Sequence, residues 1–331
     1  MITDRNKPIW LTWNNSTRSR SLSNALDFEF LLYSIESPFI LRHLLSPFWT
    51  IYFLVVRGPS VIACQYSFLL LVVIAIYKKV KPNTFVLVDC HNKALKRKIS
   101  NSPINSFFEG IKKWSFNYAD ISIVTNKGML PKLKEYTSVT QVLSDPLPFF
   151  DIDKTDTEKD DFTDATFVSS FAADEPFQLL IEYAQLNPDI HISITGKPTK
   201  DFLDTFILPN NIVLTGYLSQ SDYVKLLVNS DFIICLSTET NILQCSIYEA
   251  ISLGCLVVTN RTNCNYEVFR NAVAYCDLDI ESMSQTLRQL KSESEFMSSE
   301  IQNFRLSYQK KMKYSLTAIK NSISSATTDY E

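Results

Sequence analysis

Short apolar runs bounded by polar turns recur along the whole chain, and most are followed by a segment with helical spacing. In the first half, residues 9–13, 51–56, 60–63, 85–88, 121–125 and 141–143 read as strands. In the second half, residues 166–169, 190–195, 212–214, 232–236, 255–258 and 272–275 do the same. Most of these runs are apolar throughout rather than alternating, which is the pattern of parallel strands covered on both faces. Helical segments intervene at 22–26, 68–77, 126–136, 176–186, 219–228, 247–253, 266–270 and 280–291, with a long polar helical tail at 295–322. Ser219 with Asp222 forms an acidic variant of the capping box. Alternation of this kind specifies a doubly wound parallel sheet, here twice over, so the fold class is α/β with two Rossmann-like domains.

The clearest unit spans residues 230–260. Asp231 opens a buried strand, a polar turn follows at 237–241, Ser246 is placed to cap a helix carrying Glu249 near its start, and Gly254 suits the helix end. The turn and the helix start belong at the carboxyl ends of the strands, where open parallel sheets bind ligands. The most apolar stretch is residues 68–77, and even the extent from Ile62 to Tyr77, interrupted by Gln65 and Ser67, falls short of the ~20 apolar residues of a membrane span. It reads as a buried helix closed by Lys78, Lys79 and Lys81. Residues 151–164 are polar and acidic, unlike their surroundings, and mark a linker between domains at 1–150 and 151–331.

Charge sharpens this division. Residues 1–150 hold 18 Lys+Arg against 9 Asp+Glu, and residues 151–331 hold 14 against 26, so a net charge of −3 conceals a basic half and an acidic half. A basic half suits an anionic partner or an anionic membrane surface, or reflects drift in surface composition. Seven cysteines with no CxxC spacing, and an opening segment with no apolar core, point to reduced thiols in the cytoplasm. Neither GxGxxG nor a Walker A loop is present, so any diphosphate site is of another type, and no nucleic-acid partner is expected.

Two places carry candidate chemistry. The polar loop after the first strand, with Ser16, Thr17, Arg18 and Ser19, could present backbone N–H groups and a guanidinium to phosphate, or be an ordinary solvated loop. At the end of the strand 85–88, alternation places Asp89 and His91 on the same side. They could act as general base and orienting partner, or form a structural pair beneath a loop. Lys93, Lys96, Arg97, Lys98, Lys112 and Lys113, mixed with Trp114, fit peripheral membrane contact or a solvated helix face. Asp151 and Asp153 form a DxD, but within a charged linker they read as solvated, and no metal site is expected.

The segment Ser246 to Val258 resembles the donor-binding signature of GT-B glycosyltransferases. In the large retaining family a Glu stands eight positions before a second Glu; Glu249 matches the second, and Asn241 occupies the place of the first. Further matching pieces follow in order: Arg18-Ser19, Asp89-Cys90-His91-Asn92, Val124-Thr125-Asn126, Asp145 through Phe150, Ser169-Ser170, Asp174-Glu175, and Ile194 through Lys197. The likeness is closest to cytoplasm-facing mannosyltransferases that extend a lipid-linked chitobiose and to bacterial capsule and exopolysaccharide glycosyltransferases. The Arg and Lys that many family members carry after the first strand of the second domain are missing.

This resemblance implies two Rossmann-like domains facing across a cleft and transfer of a hexose from a nucleotide-sugar. It implies that Glu249 contacts the ribose, that Tyr217, Ser237, Thr238, Asn241 and Ile247 line the donor, and that Lys197 meets the diphosphate. The first domain would carry a lipid-linked or polysaccharide acceptor near His91, Asp89 and the 16–19 loop, at the inner face of a membrane. The nucleotide-sugar is then a co-substrate, with no other cofactor and no essential metal. A nucleotide-sugar epimerase on the same fold and a non-catalytic binding subunit are the rival readings.

Overall fold

The computed structural model describes residues 7–33, 39–91, 95, 102–152 and 162–328. The chain forms two compact units, Met1–Pro146 with Lys310–Glu331, and Leu147–Gln309. The division thus falls just before the boundary expected at 150, and the end of the chain joins the first unit instead of the second. Most of the acidic linker, Asp153 included, lies outside the described residues, as do Asn92, Lys93 and residues 96–98.

Unit 1 is built on six parallel strands: β1 (Ile9–Thr12), β2 (Glu29–Leu32), β3 (Val61–Gln65), β4 (Phe85–Cys90), β5 (Ile121–Val124) and β6 (Thr140–Val142). Their order is β2-β1-β3-β4-β5-β6. The helices are α1 (Thr17–Leu26), α2 (Phe39–Arg57), α3 (Phe68–Val80), α4 (Pro103–Phe116) and the short α5 (Leu130–Leu133). Right-handed crossovers place α1 on one face of this sheet and α2, α3 and α4 on the other. Leu11, Ile62, Val86 and Val88 of the strands and Leu70, Ile74 and Phe116 of the helices share one core.

Three elements here depart from the sequence reading. Residues 51–56 are the last part of α2, not a strand. The β-branched and aromatic run looks strand-like in a six-residue window, but Ser46, Thr50 and Leu54 recur every fourth residue on the buried side, and that is a helix period. β2 was not anticipated; it is an edge strand whose four residues are all half-buried. Nor was α4, although its start carries a signal: Ser102 accepts the Asn105 N–H at 3.2 Å and Pro103 opens the first turn.

Unit 2 repeats the plan with β7 (Asp164–Phe167), β8 (His191–Thr195), β9 (Ile212–Gly216), β10 (Phe232–Cys235), β11 (Leu256–Asn260) and β12 (Ala274–Cys276), all parallel. The order is β12-β11-β10-β7-β8-β9. Its helices are α6 (Phe177–Leu186), α7 (Lys200–Thr205), α8 (Gln220–Asn229), α9 (Cys245–Leu253), α10 (Asn263–Phe269) and α11 (Ile280–Ser292), and α12 (Ser294–Thr328) runs on past the unit boundary. The Ser219 box is present: its Oγ accepts the Asp222 N–H at 3.2 Å and donates to the Asp222 carboxylate at 2.6 Å. Gly254 ends α9 with φ of 76°, the left-handed conformation that glycine adopts without strain. The cap at the other end differs from expectation. Gln244, not Ser246, is the N-cap, and Ser246 is buried inside the first turn.

In each sheet the connections reverse direction once, between β1 and β3 in unit 1 and between β7 and β10 in unit 2. These reversals open a crevice at the carboxyl ends of the strands. Among the described residues no helix is long and apolar enough to cross a membrane.

Candidate functional site

At the carboxyl edge of unit 1 the dominant feature is a buried ion cluster. Arg18, on the first turn of α1, forks onto Asp89 at the end of β4, with Nε 3.0 Å from each carboxylate oxygen and Nη2 2.9 Å from Oδ1. Its Nη1 donates to Asp145 and its Nη2 to the Leu143 carbonyl at 2.7 Å, so one guanidinium ties α1, β4 and the segment after β6. All three charged groups are buried. Burial alone would raise the Asp89 carboxyl, but the charges of Arg18 and His91 outweigh it and lower the group to about 2. For Arg18 burial opposes the charge and the two carboxylates restore it, so the guanidinium stays protonated.

His91 follows β4 with its ring about one-third exposed and Nε2 3.3 Å from Asp89 Oδ2. That is close enough for the carboxylate charge to act on the ring, although the alignment is off a good hydrogen bond. Beside this cluster, Thr12 and Ser19 donate to Gln65 Oε1 at 3.0 and 3.4 Å across the β1/β3 reversal.

Two expectations are corrected here. Asp89 has no solvent-facing oxygen and is consumed by Arg18, so it orients and charges its neighbours rather than taking a proton itself. The 16–19 loop is not an open phosphate cradle. Ser16 is the N-cap of α1, Ser19 is fully buried, and the Arg18 guanidinium faces inward; Thr17 alone of the four is exposed. The exposed guanidinium of this segment is Arg20, held to Asn15 at 2.9 Å and stacked over Phe30.

At the carboxyl edge of unit 2, neutral donors converge on two carboxylates. Glu175 accepts from Ser169 Oγ at 2.5 Å, from Ser170 N–H and Oγ at 2.9 Å each, and from Phe171 N–H at 3.1 Å, which fixes the turn after β7. Asp174 reaches across to the turn after β10, accepting Ser237 Oγ at 2.6 Å on its carboxylate and Thr238 N–H at 2.7 Å on its carbonyl. The Ser237 N–H donates in turn to Asn260 Oδ1 at 3.1 Å. The β8 turn closes on the same place: at Gly196, with φ of 91°, a Cβ would stand 2.5 Å from the Ser169 carbonyl oxygen, so only glycine fits.

Lys197 and Tyr217 each follow a glycine of the Gly196–Gly216 bridge that joins the turns after β8 and β9. Both are exposed. Thr238 is exposed on the β10 turn, with Asn241 half-buried farther along it. Glu249 is half-buried on α9 and accepts the Tyr223 hydroxyl of α8 at 2.7 Å. Burial and the adjacent Glu249 push the Tyr223 hydroxyl far above its ordinary pKa, so it remains a donor at every accessible pH.

Ile247 and Ser237 do not line a ligand surface as expected. Ile247 is fully buried in the core, and the Ser237 side chain is spent on Asp174. Sequence reasoning had no role for Asp145, Gln65, Tyr223 or Asn260. A cavity of about 650 Å³ lies along α8 against Phe149 and Ile152, and none of the expected site residues lines it.

The model of a family described as "Glycosyl transferase-like" matches residues 175–315, which covers most of unit 2. No curated protein sequence matches the chain. Among solved structures, Anabaena Alr3699/HepE in complex with UDP and glucose superposes with a TM-score of 0.67 at 14% identity, covering 96% of this chain and 90% of that one. Sucrose-phosphate synthase from Thermosynechococcus elongatus gives 0.64 at 11%, covering 89% and 82%. A putative UDP-N-acetylglucosamine 2-epimerase from Listeria monocytogenes gives 0.53 at 10%, covering 89% and 90%. The chain therefore has the GT-B fold shared with glycosyltransferases, and its second unit carries the segment that matches the glycosyl transferase-like family.

Proposed function

We propose that the protein transfers a hexose from a nucleotide-sugar to a lipid-linked or polysaccharide acceptor in cell-surface glycan synthesis, at the inner face of a membrane. The observation that carries this reading is the carboxyl edge of unit 2. There the β7/β10 reversal is held rigid by Asp174 and Glu175 while Thr238, Lys197 and Tyr217 are left facing solvent. Glu249 is fixed beside it by Tyr223, as a carboxylate that binds two ribose hydroxyls must be. The UDP in the HepE complex lends weight to a nucleotide donor for a chain of the same fold.

In this reading Lys197 and the N–H groups at the start of α9 stabilise the departing diphosphate, with no cofactor beyond the donor and no metal required. In unit 1 His91 is the group that meets the acceptor hydroxyl. Asp89 shares one guanidinium with Asp145, so negative charge remains against the ring and favours a proton on Nε2, leaving Nδ1 to accept one. Asp89 is then a positioning residue.

Titration of the protein with UDP, GDP, CDP, ADP and their sugars tests the reading. Binding of one nucleotide, lost in Glu249→Ala, supports it; His91→Ala should lower turnover at least tenfold and leave donor affinity unchanged. No binding by any of them moves the protein to a non-catalytic subunit. Conversion of a nucleotide-sugar to its epimer without an acceptor makes it an epimerase.

A further inference from the structure

Helix α2 is apolar on both sides, with Leu54 in the core and Trp49 and Phe53 packed against it, yet rings and branched chains also face outward. On its inner side Ser46 and Thr50 are fully buried beside Leu54, with Thr50 Oγ1 accepting the Trp13 indole N–H at 3.1 Å and donating to the Ser46 carbonyl at 2.8 Å. On its outer side stand Leu45, Phe48, Ile51, Tyr52, Val55 and Val56, with Phe48, Tyr52 and Val55 exposed to 71%, 67% and 69%. At 100° per residue these six fall within a single stripe of the helix. A helix at a soluble surface normally keeps its outer face polar.

The neighbours continue the pattern. α3 packs against both α2 and α4 on the same face of the sheet. Its exposed Leu69, Ile76 and Val80 lie one above another at spacings of seven and four. α4 exposes Ile104, Phe107 and Phe108, and Phe108 meets Phe68 of α3 edge to face at 5.6 Å. Three adjacent helices thus present apolar stripes outward from one layer, and a patch of that kind marks an interaction surface.

Charge identifies what covers it. Among the described cations of this layer Arg57 is paired with Glu29, Lys78 with Asp120, and Lys112 is buried over the Tyr136 ring, while its one carboxylate, Glu109, is occupied by the Tyr136 hydroxyl at 3.0 Å, so the unpaired charge that remains is lysine. Lys79, Lys81 and Lys113 are exposed around the patch. A second copy docked through a two-fold axis would set this cationic layer against itself. An anionic surface would be attracted by the lysines and would take the rings and branched chains into its apolar boundary.

We infer that the α2–α3–α4 layer of unit 1 is a docking face for a bilayer rich in anionic lipid, with Phe48, Tyr52 and Val55 inserted among the headgroups. The inference deepens the membrane part of the proposed function, and its test is independent of donor binding. Co-sedimentation with vesicles of phosphatidylcholine mixed with phosphatidylglycerol should retain the wild-type protein, and vesicles of phosphatidylcholine alone should retain much less. The variant Phe48→Ser/Tyr52→Ser/Val55→Ser should partition about tenfold more weakly or worse. Its melting curve and its nucleotide binding should be unchanged, because the three side chains contribute nothing to the core. A wild-type protein that ignores anionic vesicles overturns the inference, as does a triple variant that binds them equally well. A wild-type dimer that dissociates on triple substitution would also overturn it and assign the face to a second copy. Vesicle binding without any nucleotide binding would leave this face standing and remove only the glycosyltransferase reading.

Discussion

The carboxyl edges of the two sheets solve the same problem with different chemistry. In unit 1 one buried guanidinium between two buried carboxylates joins three separate segments. In unit 2 two carboxylates gather hydroxyls and backbone N–H groups, and among the described residues these bonds that fix the turns come from neutral donors. The first arrangement concentrates interaction in a few atoms that have lost their water, so each is expensive to remove. The second spreads it over many bonds of ordinary strength while loop residues stay exposed. In the proposed function, buried charge suits an edge that holds one histidine in place. A neutral hydrogen-bonded frame suits an edge that, in the proposed function, presents several groups to a large polar ligand.

The largest expected break in this comparison is Arg18→Met. It strands Asp89 and Asp145 in the core, and breaking a buried pair in this way costs about 3–5 kcal/mol. All four tryptophans, Trp10, Trp13, Trp49 and Trp114, lie in unit 1, so urea unfolding followed by tryptophan fluorescence reads the loss in that unit alone. Loss below ~1 kcal/mol would mean that the cluster is not the bolt described. The counterpart in unit 2, Glu175→Ala, takes the Glu175 acceptor from four donors on the β7 turn, of which the Phe171 N–H keeps Ser169 Oγ at 2.9 Å, and should cost about 1–3 kcal/mol, with no change in the tryptophan transition.

Acid sharpens the contrast. The Asp89 carboxyl is lowered to about 2 in the folded protein, against roughly 3.9 when unfolded. A depressed carboxylate contributes stability that is fully present above the unfolded value and is lost as pH falls through the folded one. Unit 1 should therefore lose on the order of 2 kcal/mol between about pH 4 and pH 2. Tryptophan-monitored melts across that window test it, and in Asp89→Asn the dependence should flatten.

The smallest expected effect is at Tyr223→Phe. Removing one hydroxyl from Glu249 should change stability by about 1 kcal/mol. The same change should weaken nucleotide binding several-fold by freeing the carboxylate to rotate. Equal affinity in that variant would show that Glu249 is held by its other neighbours.

How much of this was legible in the chain follows from distance along it. The β–α alternation, the Ser219 cap and the Gly254 helix end are local patterns, and the structure holds all three. The meeting of Asp89 with His91 was legible because two-residue alternation at a strand end suffices to place it. The inward turn of Arg18 was not, since its partners lie 71 and 127 positions away and no local pattern distinguishes an inward guanidinium from an exposed one. The pairing of Tyr223 with Glu249 joins two helices and was invisible for the same reason. α2 misled because its run of rings and branched chains is apolar on the solvent side as well as the core side, so no helix period stands out in a short window.

The central claim is that the carboxyl edge of unit 2, organised around Glu249, binds a nucleotide-sugar. Isothermal titration of the wild-type protein and of Glu249→Ala with UDP, GDP, CDP and ADP tests it most directly. One nucleotide should bind the wild type and bind at least tenfold more weakly to the variant, while the tryptophan-monitored melt of unit 1 is identical in both. Binding that is absent from the wild type, or undiminished in the variant, would contradict the account.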